Sequence, residues 1–410
     1  MVWMSVAIGM PLPLLMQEVK ASGFQLGLLS AAWQLAMFAQ LPSTLFVEYL
    51  RRRKPWWAIV SLTHRLLWGI PALLPILLPG KKETWPVAII IALAVSNFLG
   101  QAGSGPWQSW MADLLPPERA GRFWGVRQRV LSASMVLSAL AFGVLLDTFS
   151  KPPHEFLGFQ LVFAAAAIFG ASDILVHTAV TEPPMHPRMA GEPVWQQIIK
   201  PLRDRDFLLL TVGMGIWNGA QAMVGYTMGL PGFFAMTYVR DAFHATYAQA
   251  SWLFIASGIG AVIWMPRIGH WIDRVGGKQV ALRLMAVAPI LMLGWLAVAP
   301  VTWRIPLPGE AAAPVALLVM CLISLLLGGV CAGIWICQVR LTQAHTTPSG
   351  RTVAMGVHWS LVGVIASLGP LAAGWIKDQF DGRSTYFQVL VVIQTVLGWM
   401  VAWPLVRKMR

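Results

Sequence analysis

Polar side chains are sparse along this chain and gather in short clusters between long apolar stretches. Length and flanking polarity mark twelve such stretches, at roughly 1–18, 24–47, 55–79, 85–112, 123–147, 158–180, 206–230, 247–266, 279–300, 313–338, 353–376 and 384–406, each near the ~20 residues a helix needs to cross hydrocarbon. The pattern predicts an all-α membrane protein with twelve transmembrane helices. A second periodicity runs at the scale of half the chain. Gly100-x4-Gly105-x-Trp107, Gly121-Arg122 and Gly125-x21-Asp147-x-Phe149 recur as Gly328-x4-Gly333-x-Trp335, Gly350-Arg351 and Gly356-x21-Asp378-x-Phe380. The offset lengthens only from about 228 to about 231 residues, as two copies of one segment separated by small loop insertions would show. Six spans precede the Pro-rich, charged connection Thr181 to Arg205 and six follow it. The predicted division is a six-helix bundle over 1–180, a linker over 181–205, and a second bundle over 206–410. An even number of spans per half inserts both copies in the same direction, so the halves are parallel repeats about an axis along the membrane normal. Two bundles facing each other point to transport. Within the linker, Val194 to Leu202 is expected to form a short surface helix that Pro201 ends early.

Composition narrows the class. Apolar residues make up 57% of the chain and charged residues only 11%, too few to build a water-facing surface. The net charge of +13 would suit a nucleic-acid partner, but the basic residues do not cluster on a soluble face. Of the 30 Lys and Arg, 21 fall on one set of alternate connections and 8 on the other, with Arg65 left inside a helix. This asymmetry assigns both chain ends to the cytoplasm and the protein, as a multi-pass species in contact with lipid, to the plasma (inner) membrane. Cys321, Cys331 and Cys337 all fall in the tenth span and read as small apolar residues, not as a disulfide framework. The first span opens at Met1 without a charged tail and reaches only about 25 Å, so the chain is expected to start inside its first helix.

The connection after the eighth span reads Gly269-His-Trp-Ile-Asp273-Arg274-Val-Gly276-Gly-Lys278. It resembles the G-x-x-x-D-R-x-G-x-K signature of the major facilitator superfamily, at its expected place between the second and third helices of a half. The first half carries a degenerate equivalent, Thr44-x3-Glu48-Tyr-Leu-Arg51-Arg-Arg-Lys54, and the run Pro117 to Arg122 is similar to the superfamily's connection between helices four and five. With span count and repeat symmetry, the resemblance covers essentially the whole chain. It implies that the motif acid sits at the cytoplasmic face against the positive end of a helix in the opposite half, where a carboxylate gains ~0.3–1 kcal/mol. The expected inner gate sets Asp273, with Gly269, Arg274, Gly276 and Lys278, against the start of span five near Arg122, and Glu48 against the start of span eleven near Arg351. The competing reading is that these charges only fix topology.

Asn97, Gln101, Ser104 and Gln108 in the fourth span are spaced 4, 3 and 4, which puts them within about 60° of one another on a helix. Lipid cannot satisfy amides at that depth, so the stripe must face protein or water. The resemblance implies that helices one, four, seven and ten line a central cavity. Asn218 and Gln221 in the seventh span, with Trp217 beside them, and Trp335, the repeat partner of Trp107, complete the candidate substrate set: Asn97, Gln101, Ser104, Trp107, Gln108, Asn218, Gln221 and Trp335. Their chemistry is neutral hydrogen bonding and ring stacking; the alternative is interhelical packing, worth ~0.6 kcal/mol per pair.

Arg65 lies about 15 Å inside the third span and needs a carboxylate. Asp173 in the sixth span is at nearly the same depth, with His177 one turn on. A buried structural pair, Arg65 with Asp173, is expected, a proton relay being the alternative. Spans one, four, seven and ten carry no mid-depth carboxylate, so His358 is the candidate proton carrier, against a packing histidine, and facilitated diffusion stays open. Hydrolase, protease and phosphate-loop motifs are absent, as is any metal-like His/Cys cluster, so neither an enzyme nor a cofactor is expected. The sequence expectation is a secondary transporter moving a small neutral or amphipathic organic solute by alternating access. The alternatives are an organic-anion carrier using Arg127, or a non-transporting membrane scaffold or lipid-handling protein.

Overall fold

The computed structural model describes residues 2–50, 52–115, 117–150, 154–184, 194–227, 229–298, 304–306, 312–345, 351–380 and 383–409. Eight helices are long and apolar enough to cross a bilayer alone among the described residues: Lys82–Met111, Val130–Phe149, Leu157–His177, Tyr247–Val275, Gly277–Leu296, Val315–Ala344, Val353–Asp378 and Tyr386–Arg407, which are spans four to six and eight to twelve. Span three is the pair Lys54–Leu67 and Ile70–Leu77, bent by 46°. Pro71 and Pro75 in the second piece cannot donate the backbone bonds a straight continuation would need.

The other three spans are interrupted. Span one is Val2–Ala7 followed by Pro11–Glu18, broken where Gly9 precedes Pro11 and Pro13. Span two runs Gly23–Leu35, a 3-10 turn at Ala36–Ala39, then Gln40–Leu50. Span seven departs from the sequence expectation of one helix over 206–230. Its helix Arg205–Met223 ends in a hairpin pairing Tyr226–Thr227 with Leu230–Pro231, and a second helix, Phe233–Phe243, continues into what the sequence reading took for an outer loop. Glycine makes the hairpin possible: Gly225 and Gly229 adopt φ of 84° and 82°, and a Cβ on Gly225 would lie 2.8 Å from the backbone nitrogen of Phe234. Exposed backbone is not tolerated at this depth, and the loop is satisfied from within. Gly232 N–H donates to Gly225 O at 2.7 Å, and Ser257 Oγ of span eight donates to Gly229 O at 2.6 Å. Broken helices in spans one and seven occupy equivalent places in the two halves.

Helix packing within the second half is set by backbone contact. A Cβ on Gly260 would lie 1.7 Å from Leu325 O, and one on Gly328 would lie 2.0 Å from Ser257 O, so spans eight and ten touch main chain to main chain. In the linker, Val194–Leu202 is helical as expected, and Ile198 and Leu202 pack on Phe207, Val353, Ala354 and Val357 at the base of spans seven and eleven.

Among the described residues, the hydrogen bonds that join the two halves gather at the end the charge count assigns to the outside. Two are related by the repeat. Ser22 and Thr246 cap spans two and eight, each accepting from the amide three residues on and forming a capping box with Gln25 or Gln249. That leaves the first amides of each helix without a partner in their own helix. Asp378, at the end of span eleven, accepts from Gly23 N at 2.5 Å and Phe24 N at 2.8 Å; Asp147, at the end of span five, accepts from Tyr247 N and Ala248 N, both at 2.9 Å. The repeated aspartates of the sequence thus each clasp a helix start in the opposite half. Between them, Glu18 accepts from Tyr247 Oη at 2.6 Å and Arg240 Nη2 at 3.0 Å, and Gln17 bonds Asp241.

Candidate functional site

Residues from both halves line a small open crevice at the break in span seven. Span seven supplies Trp217, Asn218 and Gln221, which share one side of the helix at 100° per residue, and its hairpin supplies Tyr226 and Gly229. Span ten contributes Cys331, Ile334 and Trp335, span eleven Trp359, and the first half reaches in through Gln34 and Met37 of span two. Among the described residues, no charged side chain lines it.

One wall is held by a polar chain. His358 is fully buried, with Nδ1 2.9 Å from Thr211 Oγ1 and Nε2 3.1 Å from Gln338 Nε2. The Gln338 amide donates, so His358 Nε2 accepts and the ring proton sits on Nδ1, donating to the threonine oxygen. Gln338 Oε1 in turn accepts from Asn218 Nδ2 at 3.4 Å. His358 is thus enclosed by polar partners that link it through Gln338 to Asn218. Gln221 differs from its neighbours: it is only 7% exposed, yet neither its Oε1 nor its Nε2 has a hydrogen-bond partner.

Of the predicted substrate set, the structure brings Asn218, Gln221 and Trp335 together at the crevice and leaves the fourth-span residues off its lining. Gln101 Oε1 accepts from Gln40 Nε2 of span two at 2.7 Å; Ser104 accepts from Gln108 at 3.2 Å, and Gln108 is exposed; Asn97 is buried with Oδ1 unpartnered. Trp107 donates to His177 Nε2 at 3.1 Å and packs beside Trp57 and Trp110, inside the first half. The repeat partners Trp107 and Trp335 therefore serve different ends. Span four is drawn against span three because Gly100 and Gly103 present no Cβ to His64 and Ser61. Gln34, Met37, Tyr226, Cys331 and Trp359 were missed by sequence reasoning. The available signal was the pair of Gly/Pro interruptions, Gly9-x-Pro11-x-Pro13 and Gly225-x3-Gly229-x-Pro231, in matching spans.

The expected Arg65–Asp173 pair is not in direct contact. The Arg65 guanidinium lies over the Trp3 ring, 3.6 Å from its centroid, with Nε unpartnered, while Asp173 is exposed and acts on it only at longer range. Gly170 lets the arginine stem lie against span six. Arg127 stacks on Trp107 at 5.1 Å.

At the end assigned to the inside by the charge count, Asp273 is 63% exposed and lies 3.8 Å from Arg340 of its own half. Open space surrounds Gly269; Gly276, at φ 89°, makes the turn between spans eight and nine; Arg274 is exposed, and Lys278 bonds the Met409 carbonyl. The side chains of Glu48, Arg122 and Arg351 lie outside the described residues. Arg53 is the organising residue there and was read from sequence only as part of a basic run. It is 1% exposed and reaches Asp113 at 2.5 Å, Ser109 at 3.1 Å, Glu182 at 3.4 Å and Pro183 O at 3.1 Å.

A family model described as Major Facilitator Superfamily matches residues 1–233 and 219–408. No curated protein matches the sequence. Among solved structures, the nucleoside transporter NupG aligns with a TM-score of 0.69 at 14% identity, over 100% of this chain and 96% of that one. A bacterial homologue of the human lysosomal transporter Spinster, inward-facing and occupied, aligns at 0.69 and 13% identity over 100% and 94%. A D-xylose-proton symporter aligns at 0.61 and 16% identity over 97% and 91%. At these identities the likeness is one of fold.

Proposed function

The chain belongs to the major facilitator superfamily, and from that premise we propose that it is an alternating-access carrier of a small neutral organic solute, bound between its halves at the crevice of span seven. It is a multi-pass membrane transporter and not an enzyme. The observation that carries the solute class is the lining: amides, tryptophans and a tyrosine, without a charged side chain among the described residues. Two of the transporters named above carry nucleosides or D-xylose by their descriptions, both neutral cargoes, in keeping with that lining.

Alternating access is supported by the asymmetry of the two ends. The outer ends are tied by Asp147, Asp378, Glu18 and Gln17 across the halves, whereas Asp273 turns to Arg340 within its own half. In our reading this is the state open to the inside, and the motif residues Gly269, Asp273, Arg274, Gly276 and Lys278, with Glu48, Arg122 and Arg351, form the inner gate in the opposite state. His358 is a structural group in this cycle, so proton coupling, if present, uses another residue. Both termini are cytoplasmic and the membrane is the plasma (inner) membrane.

Purified protein in vesicles tests this. With Cys321, Cys331 and Cys337 replaced by Ala and with Gln17→Cys and Asp241→Cys joined by a short bis-methanethiosulfonate crosslinker, each thiolate displacing a sulfinate, saturable uptake of neutral solutes should stop, and reduction of the two disulfides should restore it. Full uptake by the crosslinked protein would refute alternating access at this site.

A further inference from the structure

Gln221 is the unusual group of the crevice. A carboxamide that is 7% exposed normally has its oxygen and its NH2 paired, and here both are buried without a hydrogen-bond partner. Its amide therefore offers an acceptor and a donor side by side. The complement is a ligand edge with a donor and an acceptor side by side, the match by which Gln reads adenine N6 and N7. The rest of the lining restricts the ligand further. Trp217, Trp335, Trp359 and Tyr226 supply ring surface, on which flat heterocycles stack. Asn218 has its NH2 committed to Gln338, a chain anchored by His358 and Thr211, and so offers its oxygen. A charged ligand would meet no counter-charge on the described lining.

Resting on the neutral-solute reading above, we propose that the crevice selects an uncharged planar heterocycle with a lactam-type edge, its adjacent C=O and N–H paired to Gln221 Nε2 and Oε1. The rings set the plane, and Gln221 sets which edge is accepted. Asn218 takes a further donor from the ligand, and His358 acts only as a positioning residue, through Gln338.

The test uses the full chain in detergent and in vesicles, with uridine and inosine as probes and 3-methyluridine and 1-methylinosine, whose lactam N–H is replaced by N–CH3, as matched controls. Uridine or inosine should bind, measured by calorimetry and thermal shift. The methylated partner should bind at least about 10-fold more weakly, the lower range for losing one bidentate contact. Gln221→Leu should erase the difference between each pair. Because the methyl comparison runs on the unaltered protein, it stands even where Gln221→Leu fails to fold. Equal binding of methylated and parent probes would overturn the lactam edge. No binding of either probe, with Trp335-dependent vesicle uptake of a sugar or amino acid, would overturn the heterocycle while leaving the solute pathway intact. No uptake of any solute would overturn both.

Discussion

Replacing Asp147 and Asp378 by Asn tests whether the outer closure rests on carboxylates borrowed by helix starts. Each aspartate accepts two backbone N–H groups at the first turn of a helix in the other half, and the local caps Ser22 and Thr246 already serve the third amide. Asparagine keeps the shape and one acceptor oxygen but loses the charge and the second acceptor. Asp378 is exposed, so its loss is worth about 0.5–1 kcal/mol; Asp147 is half-buried, and about 1–2 kcal/mol is appropriate. Together about 1.5–3 kcal/mol leaves the closed state, which multiplies the open-to-closed ratio by roughly 12 to 150. From an open population of about 1%, the double variant would hold about 10–60% open. Spin labels at His154 and Arg383, exposed on the outer ends of opposite halves, report this by pulsed dipolar spectroscopy once Cys321, Cys331 and Cys337 are replaced by Ala. The double variant should show a second, longer distance, and each single variant an intermediate fraction. Identical distance distributions in the double variant and the parent would refute the reasoning.

Arg53→Met should cost about 1–3 kcal/mol, because it removes the cation that ties the partly exposed Asp113 and Glu182 together, and thermal unfolding in detergent would show it; an unchanged midpoint would remove Arg53 as the hub. A double-mutant cycle of Arg65→Met with Asp173→Asn should give a coupling below about 0.5 kcal/mol, since the guanidinium rests on Trp3; a larger value would restore the ion pair. Gly328→Ala forces a Cβ toward the Ser257 carbonyl and should destabilise by about 1–3 kcal/mol, whereas Gly100→Ala meets only the movable ring of His64 and should cost less; equal losses in folded yield would contradict the main-chain contact of spans eight and ten.

Hydropathy made the fold legible, because hydrocarbon demands about 20 apolar residues per crossing whatever the tertiary structure. It failed at span seven, where apolar residues continue through a hairpin: Tyr226 and Leu230 are as hydrophobic as any helix interior, and only Gly225, Gly229 and Pro231 betray the turn. The crevice lining was half legible. Asn218, Gln221 and Trp335 reach the crevice, but helical spacing alone could not tell the face of span four that looks at span two from one that looks at the other half, and Gln101 is taken by Gln40. Matching depth suggested Asp173 for Arg65, yet depth carries no information on rotation, and the aromatic partner came from span one. The repeated aspartates were visible as a pattern, but their partners are main-chain amides, which leave no mark in a sequence.

The hairpin within span seven uncouples its two helices mechanically. Phe233–Phe243 leans on Pro11–Glu18 and is held through Arg240 and Asp241, while its inner neighbour Arg205–Met223 carries the crevice residues. Under the alternating-access proposal, a break at this point would let the end segment and the crevice-lining segment move in separate steps, so that a state with the solute sealed between them becomes a natural waypoint of the cycle.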